Sequence, residues 1–382
     1  MNRQDRAELA SRLATLDPQD RHKLAKKAAQ LRHVHSLKRT ARPRRAASIE
    51  DEDEIGFAES PIRRVSLSLD EAMLRLLREE APSGTSNGAE PDGLVVALAK
   101  GRAQVKTPDG EISVGLAPDI LAAQDRTIAV GDEILLGRDR VERVLPRRTR
   151  LSRPDPGTGG ERVVVANIDI AVIVVSVTAP PLHPRIIDRY LLACDRGGVT
   201  PVIVANKWDL LEAGPPGQDA LLDPYRRLGI SVIPVSAQTG IGLDTLRVAL
   251  AGKLVAFVGH SGVGKSSLVN AIAPELDLEV GAVAPGRGTG RHTTRGSRLY
   301  VLAGGIRVID TPGVRSFGLW ALGADELASH FSEFATLSCR FRDCRHEGEP
   351  GCGITAAVES GEVAPERFDT YRRLLASLRE EG

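Results

Sequence analysis

From Arg162 onward the chain alternates short apolar runs with amphipathic stretches of helical period, the pattern of a parallel sheet with crossover helices. Strands are predicted at residues 163–177, 201–205, 231–235, 254–258, 299–302 and 306–309, and helices at 184–195, 224–228, 243–250 and directly after Lys265. Cys194 falls on the apolar side of the first helix, where it is expected to act as a small buried hydrophobe. Between residues 94 and 145 the period shortens. Alternating runs at 95–98, 102–106, 112–114, 127–130, 133–136 and 141–144 are split by Pro108-Asp109-Gly110 and Gly131-Asp132, which predicts a small β-barrel of the OB type. Two further helices are expected at 324–334 and 365–378.

Residues 1–92 read as an N-terminal extension, partly helical or disordered. Leu9, Leu13, Leu16, Leu24, Ala28 and Leu31 have helical spacing amid dense Lys and Arg. A basic run (Lys38-Arg39, Arg42, Arg44-Arg45), an acidic run at 50–54, a short helix at 67–77 and a Gly/Ser/Pro linker at 82–92 follow. The expected domains are therefore the extension at 1–92, the barrel at 93–150, an α/β domain at 151–320 and a small helical domain at 321–382.

Composition narrows the class. At 382 residues, with 42% apolar and 26% charged content, the chain is an ordinary multidomain globular protein. Aromatics make up 3%, which makes the cores aliphatic and argues against broad stacking platforms for bases. A net charge of +1 puts any case for RNA on local patches, such as Arg143, Arg147, Arg148, Arg150 and Arg153 at the barrel's exit. No apolar run reaches membrane-spanning length and no signal-peptide core opens the chain, so a cytoplasmic protein with no membrane partner is expected.

The chemistry centres on Gly259-His260-Ser261-Gly262-Val263-Gly264-Lys265-Ser266, placed between a predicted strand and a helix that takes in Ser267. Glycines at these positions let backbone N–H groups turn toward phosphate oxygens, and the helix adds its positive end. Lys265 would reach the β- and γ-phosphates and the Ser266 hydroxyl would hold Mg²⁺. Asn206-Lys207-Trp208-Asp209 follows another strand and reads guanine: a carboxylate at Asp209 accepts from N1–H and the exocyclic amine, a donor pair that adenine lacks. Ser236-Ala237, after the next strand, offers a backbone N–H to guanine O6. Asp310-Thr311-Pro312-Gly313 supplies a second-shell Mg²⁺ carboxylate and an N–H from Gly313 that senses the γ-phosphate. The Gly/Arg-rich stretch 285–294 suits a switch loop, with Thr293 or Thr294 completing the metal shell and Thr294 the candidate carried forward.

The order of these motifs is reversed, because guanine-reading residues precede the phosphate loop. A sheet tolerates this when old termini are joined and a loop is cut elsewhere. Val314 also stands where many GTPases place a water-orienting Gln, so slow intrinsic hydrolysis is expected, and His292 is the candidate catalytic group in the switch. Cys339, Cys344, His346 and Cys352 then offer three thiolates and one imidazole, the donor set of one structural Zn²⁺ in a reducing compartment.

Together these motifs resemble the RsgA family of circularly permuted GTPases that depend on the small ribosomal subunit. The resemblance rests on 206–209, 259–267, 290–294, 310–319 and 339–352 in that order, and extends over about residues 93 to 380. It implies an OB-type β-barrel, a circularly permuted α/β P-loop GTPase domain and a C-terminal zinc-binding helical domain. It also implies GTP hydrolysis to GDP and phosphate, stimulated by the small subunit and its rRNA during late maturation, and a catalytic switch histidine, which favours His292. Arg295 stands where a third Thr is common in the family, and the first 90 residues lie outside the likeness. A monomer is expected. Two other readings are a GTP-gated RNA-binding module whose hydrolysis is incidental, favoured by Val314, and an ATP-using P-loop enzyme, opposed by Asp209.

Overall fold

The computed structural model describes residues 90–122, 127–154, 161–276, 297–310, 322–323, 326–341 and 343–380. The extension, except for its last three residues, lies outside them. Five strands make the barrel: β1 (Gly93–Ala99), β2 (Arg102–Thr107), β3 (Gly110–Leu116), β4 (Glu133–Leu136) and β5 (Arg140–Val144). On β2, buried Ala103 and Val105 alternate with exposed Arg102, Gln104 and Lys106, the pattern of a strand with one face in a core. The strand order is β1-β2-β3-β5-β4, and β4 returns to β1 through Gly93↔Ile134, so the edge is closed. A short helix, α1 (Pro118–Ala122), adds Ile120 to this core.

The strand expected at 127–130 is reduced to an isolated bridge, Val130↔Val165. Asp132 explains it. Its carboxylate accepts the Ala129 N–H at 2.7 Å and holds Arg147 through two bonds of 2.6 and 2.7 Å, which turns the chain instead of extending it. The apolar run 163–177 likewise divides. Its first part belongs to β7 (Glu161–Ala166), antiparallel to β6 (Arg150–Pro154), and its second part is β8 (Ile170–Ser176) in the main sheet. The break is Asn167, held at φ 55°. Its amide donates to Gly131 O at 2.9 Å and accepts the Arg148 N–H at 2.8 Å, so one side chain fastens barrel to sheet.

The main sheet continues with β9 (Thr200–Asn206), β10 (Ser231–Pro234), β11 (Leu254–Val258), β12 (Arg298–Val301) and β13 (Arg307–Asp310). Its order, β10-β9-β8-β11-β13-β12, places β11 between β8 and β13 in parallel register, and β12 pairs onward to β1. Strand β8 is buried on both faces, as a parallel strand covered by helices must be. Ala171, Ile173 and Val175 meet α2 (Pro184–Gly197). Ile170, Val172 and Val174 share the other core with α4 (Leu243–Leu250) and α5 (Lys265–Ile272). Each such Val or Ile contributes roughly 1.5–3 kcal/mol of burial.

The helix expected at 324–334 is, over the described residues, two 3₁₀ turns, Leu327–His330 and Ser332–Phe334, separated by extended Phe331. That geometry stacks Phe331 on Phe334, 5.1 Å between ring centres, with Tyr371 edge-on to both. Helices α6 (Gly353–Glu359) and α7 (Pro365–Glu380) complete the C-terminal region. No helix among the described residues is long and apolar enough to cross a membrane.

This region rests on α2 through ions. Arg367 of α7 donates to Asp188 at 2.7 Å and to Glu333, including a 2.9 Å bond, with its guanidinium over Phe331. Tyr225 of α3 (Asp223–Arg227) donates to the same Asp188 oxygen at 2.8 Å. His330 meets Asp195 at 2.6 Å near the end of α2, and Arg185 meets Asp369 at 3.5 Å near its start. Burial pushes the Asp188 carboxyl up to about 6, against the pull of Arg367.

Two outcomes follow from this cluster. Arg367→Ala strands two buried carboxylates, and urea denaturation should show a loss of about 3–5 kcal/mol, well beyond an exposed pair. Asp188, with its folded pKa above its unfolded one, contributes stability that is full below about pH 4 and is lost as pH rises through about 6. The difference in melting temperature between wild type and Asp188→Asn should therefore shift against wild type across that window and stay level above it.

Candidate nucleotide and metal sites

Strand β11 ends at Val258 and the chain turns at once into the glycine-rich loop, because Gly259, Gly262 and Gly264 take φ values of 140°, 84° and 90°. A Cβ on Gly259 would sit 2.4 Å from Val174 O, and one on Gly264 would sit 2.4 Å from the Asn206 amide nitrogen. Glycine is therefore needed here both for backbone freedom and for close approach. Gly264 leads into α5, whose first residues are Lys265, Ser266 and Ser267. The Lys265 ammonium donates to Gly259 O and His260 O at 2.6 and 2.7 Å, which holds its charge over the loop. His260 Nδ1 lies 2.8 Å from Ser261 O, and Val263 is fully buried beneath.

Asn206, the last residue of β9, is 2% exposed. Its amide nitrogen donates to Val263 O at 2.9 Å and its amide oxygen accepts the Ala237 N–H at 3.2 Å. One side chain thus binds the phosphate loop, the Asn206–Asp209 turn and the Ser236-Ala237 turn into a single unit. Lys207, at φ 62°, donates to Gly262 O at 3.0 Å and to Ala179 O. The Trp208 N–H donates to Val235 O at 3.0 Å, and its ring is half-buried against the α2-side core. Asp209 is half-buried in the 3₁₀ turn Trp208–Leu210. The Ser236 hydroxyl accepts the Thr239 N–H at 3.0 Å, which makes it a brace of its own turn.

Two participants were not legible in the sequence. Ala179 and Pro180, in the loop after β8, border the phosphate loop: Ala179 takes the Lys207 ammonium, and Pro180 Cδ lies 3.5 Å from where a Gly262 side chain would begin. Both act through backbone or ring contact, which leaves no residue-type signal. Asp310 closes β13, while His292, Thr293, Thr294 and Gly313 lie outside the described residues.

The four metal-ligand candidates come together. The donor atoms of Cys339, Cys344, His346 and Cys352 all lie within 4.8 Å of one another. Cys339 and Cys352 sulfurs are 3.9 Å apart, and each lies 3.5 Å from His346 Nδ1. Zn–S bonds of ~2.3 Å at tetrahedral angles demand an S···S edge of ~3.8 Å, so the set fits Zn²⁺ with no open position. Local chemistry prepares the ligands. Burial lowers the His346 pKa, which favours the neutral imidazole that coordinates. Burial alone would raise Cys352, but hydrogen bonds from Thr355 at the start of α6 turn its shift downward, toward the thiolate. Burial and the two neighbouring cysteines push Cys344 up to about 12, a mutual repulsion that a cation relieves. Behind the site, Phe334 and Tyr371 pack on the His346 ring, and Tyr371 donates to Arg345 O at 3.2 Å.

The chain is similar to known proteins. A family model described as RsgA GTPase matches residues 144–320. "Small ribosomal subunit biogenesis GTPase RsgA" of Pseudomonas fluorescens (strain Pf0-1) is 41% identical over 311 residues, 79% of this chain and 90% of that protein. The protein of the same name from Pseudomonas aeruginosa (strain LESB58) is 40% identical over 330 residues, 83% of this chain and 96% of its own. Among solved structures, YjeQ from Thermotoga maritima matches with a TM-score of 0.60 at 32% identity, covering 75% of this chain and 97% of that one. YloQ, described as a circularly permuted GTPase, matches with a TM-score of 0.58 at 26% identity, covering 78% of this chain and 98% of that one. With strand order, motif order and relatives in agreement, the chain belongs to the RsgA family of circularly permuted GTPases.

Proposed function

We propose that this chain hydrolyses GTP during late maturation of the small ribosomal subunit, and that the subunit and its rRNA stimulate turnover. The observation that carries the reading is Asn206, whose two amide bonds set the Asn206–Asp209 turn against the glycine-rich loop after β11 and the Ser236-Ala237 turn. In this reading Asp209 accepts from the guanine edge while Lys207 braces the base side. The N–H groups of Gly262, Val263, Gly264 and Lys265, with the Lys265 ammonium, hold the phosphates. Ser266, with Thr294 or Thr293, would hold Mg²⁺, whose charge offsets that of the β- and γ-phosphates, and Asp310 would orient that shell. His292 is proposed to assist the attacking water and Gly313 to report the γ-phosphate. The proposed division is an extension at 1–92, the OB barrel at 93–150, the GTPase domain at 151–320 and the zinc domain at 321–382, acting as a cytoplasmic monomer without a membrane partner. The curated relatives support the assignment to the small subunit by their names.

The deciding measurement is GTP turnover with and without purified small subunits. Slow basal turnover that rises strongly on adding subunits is expected. Unchanged turnover, with co-sedimentation that still depends on a non-hydrolysable GTP analogue, would replace this reading with that of a GTP-gated binding module.

Asp209→Asn puts an amide donor against the guanine donors and should weaken GTP binding by roughly 5- to 150-fold, measured by competition against ATP. An equal response of ATP and GTP would remove the guanine assignment. Chelation of zinc, or Cys352→Ser, should unfold the 339–352 loop and lower the melting temperature of the full chain while leaving the sheet's far-ultraviolet signature.

A further inference from the structure

Thr355 is the third residue of α6, and its Oγ1 is fully buried. Among the described residues no oxygen or nitrogen accepts the proton of that hydroxyl. Buried hydroxyls are nearly always paired, so this one calls for an acceptor of another kind.

The surroundings supply it. Cys352 caps α6, where its sulfur accepts the Thr355 N–H at 3.4 Å, and the Thr355 hydroxyl faces the same sulfur. Cys352 is 5% exposed, which leaves little room for water to take the proton instead. That sulfur belongs to the ligand cluster, 3.9 Å from Cys339 Sγ and 3.5 Å from His346 Nδ1. The backbone holds the arrangement. The Ala356 N–H donates to Cys352 O at 3.2 Å, and a Cβ on Gly353 would sit 2.3 Å from Ser338 O. Glycine at 353 thus lets the start of α6 press against the residue before Cys339. A thiol sulfur is a weak acceptor, whereas a metal-bound sulfur is a thiolate and a charged one. Metal ligation therefore creates, on the atom beside Thr355, the acceptor that its hydroxyl lacks.

We propose that Thr355 is a positioning residue of the zinc site, whose hydroxyl donates to the Cys352 thiolate when the ion is bound and so raises the affinity of the ligand set for zinc. The proposal rests on the assignment of Cys339, Cys344, His346 and Cys352 to one structural zinc. Outer groups that hold a ligand in this way contribute roughly 10- to 100-fold in metal affinity.

The test takes the zinc-loaded full chain and titrates it with a chromophoric chelator that competes for the ion. A second sample has cobalt(II) exchanged for zinc, and its sulfur-to-metal charge-transfer absorption reports on the thiolates. Thr355→Val keeps the shape and the N–H bond and removes the hydroxyl alone. It should lose zinc to the chelator at an affinity roughly 10- to 100-fold below wild type. Its cobalt absorption should move to longer wavelength, because a thiolate relieved of a hydrogen bond gives up an electron more easily. Thr355→Ser keeps the hydroxyl and should match wild type in both measurements. Equal zinc affinity in Thr355→Val and wild type overturns the proposal, as does a cobalt band that stays in place. So does a Thr355→Ser that falls with Thr355→Val, since the bulk of the side chain and not its hydroxyl would then be what matters. Each of these outcomes strikes the proposal and leaves the zinc assignment standing. A wild type that gives no tetrahedral cobalt spectrum strikes the assignment, and the proposal with it.

Discussion

The nucleotide site depends on a buried amide. Asn206 lies at the end of β9, yet its partners are Val263 in the loop after β11 and Ala237 in the loop after β10. Inside the protein, an unpaired amide costs about 1–3 kcal/mol per orphaned group. The three loops therefore keep a fixed relation or lose that energy together. Gly264 is the steric counterpart: a side chain there would collide with the Asn206 amide. Reversal of motif order has no effect on this contact, because a hydrogen bond depends on the distance between groups and not on which was translated first. The sheet absorbs the permutation in the same way, by seating late β11 beside early β8 in register from Val255↔Ile170 to Val258↔Ile173.

Helix α2 is the second constraint, because two structures share it. One face supplies Ile187, Tyr190 and Cys194 to the core under the sheet. Another supplies Arg185, Asp188 and Asp195, each paired with a residue of the C-terminal region. The joint is made of ions and aromatic rings, with Asp188 fully buried and Arg367 nearly so. Such a joint gives little net stability over an apolar one, but it punishes any misplacement severely, since a shifted partner leaves a charge in a low-dielectric site. It therefore fixes where the zinc region sits on the GTPase domain more than how strongly it is held.

What the sequence disclosed and what it concealed divide along the range of the interactions. The proximity of the glycine-rich loop to the Asn206–Asp209 turn, and of Cys339, Cys344, His346 and Cys352 to one another, was legible, because residue types at short, fixed spacing mark each set. Most strands were legible because burial on both faces writes itself as valine runs. The run 163–177 misled in one respect: it carried its own warning in Asn167 and Asp169, polar residues where a buried strand admits none without a partner. The Asp188–Arg367 joint was concealed because its members are far apart in the chain. A signal existed nonetheless, a carboxylate at Asp188 beside the core residue Ile187 and near Tyr190. Two 3₁₀ turns stand where a helix was expected, and with extended Phe331 between them Phe331 and Phe334 stack with Tyr371 edge-on to both.

The zinc region shows why a metal is used where a core is not available. Between Cys339 and Cys352 the residues are charged, glycine or proline, with Phe341 facing outward, so hydrophobic burial cannot fix this loop. The Cys339, Cys344, His346 and Cys352 cluster suits one structural zinc, whose binding would supply folding energy, and it lies close to the rings of Phe334 and Tyr371 and to α7, which carries Arg367. A bound ion would fix His346 against the aromatic stack, the stack packs beside Arg367, which donates to Asp188, and Asp188 sits on α2, which packs on the core of the main sheet. From the rings onward each link is a packed contact or hydrogen bond, so the dependence runs from a loop with no core of its own to the sheet beneath α2.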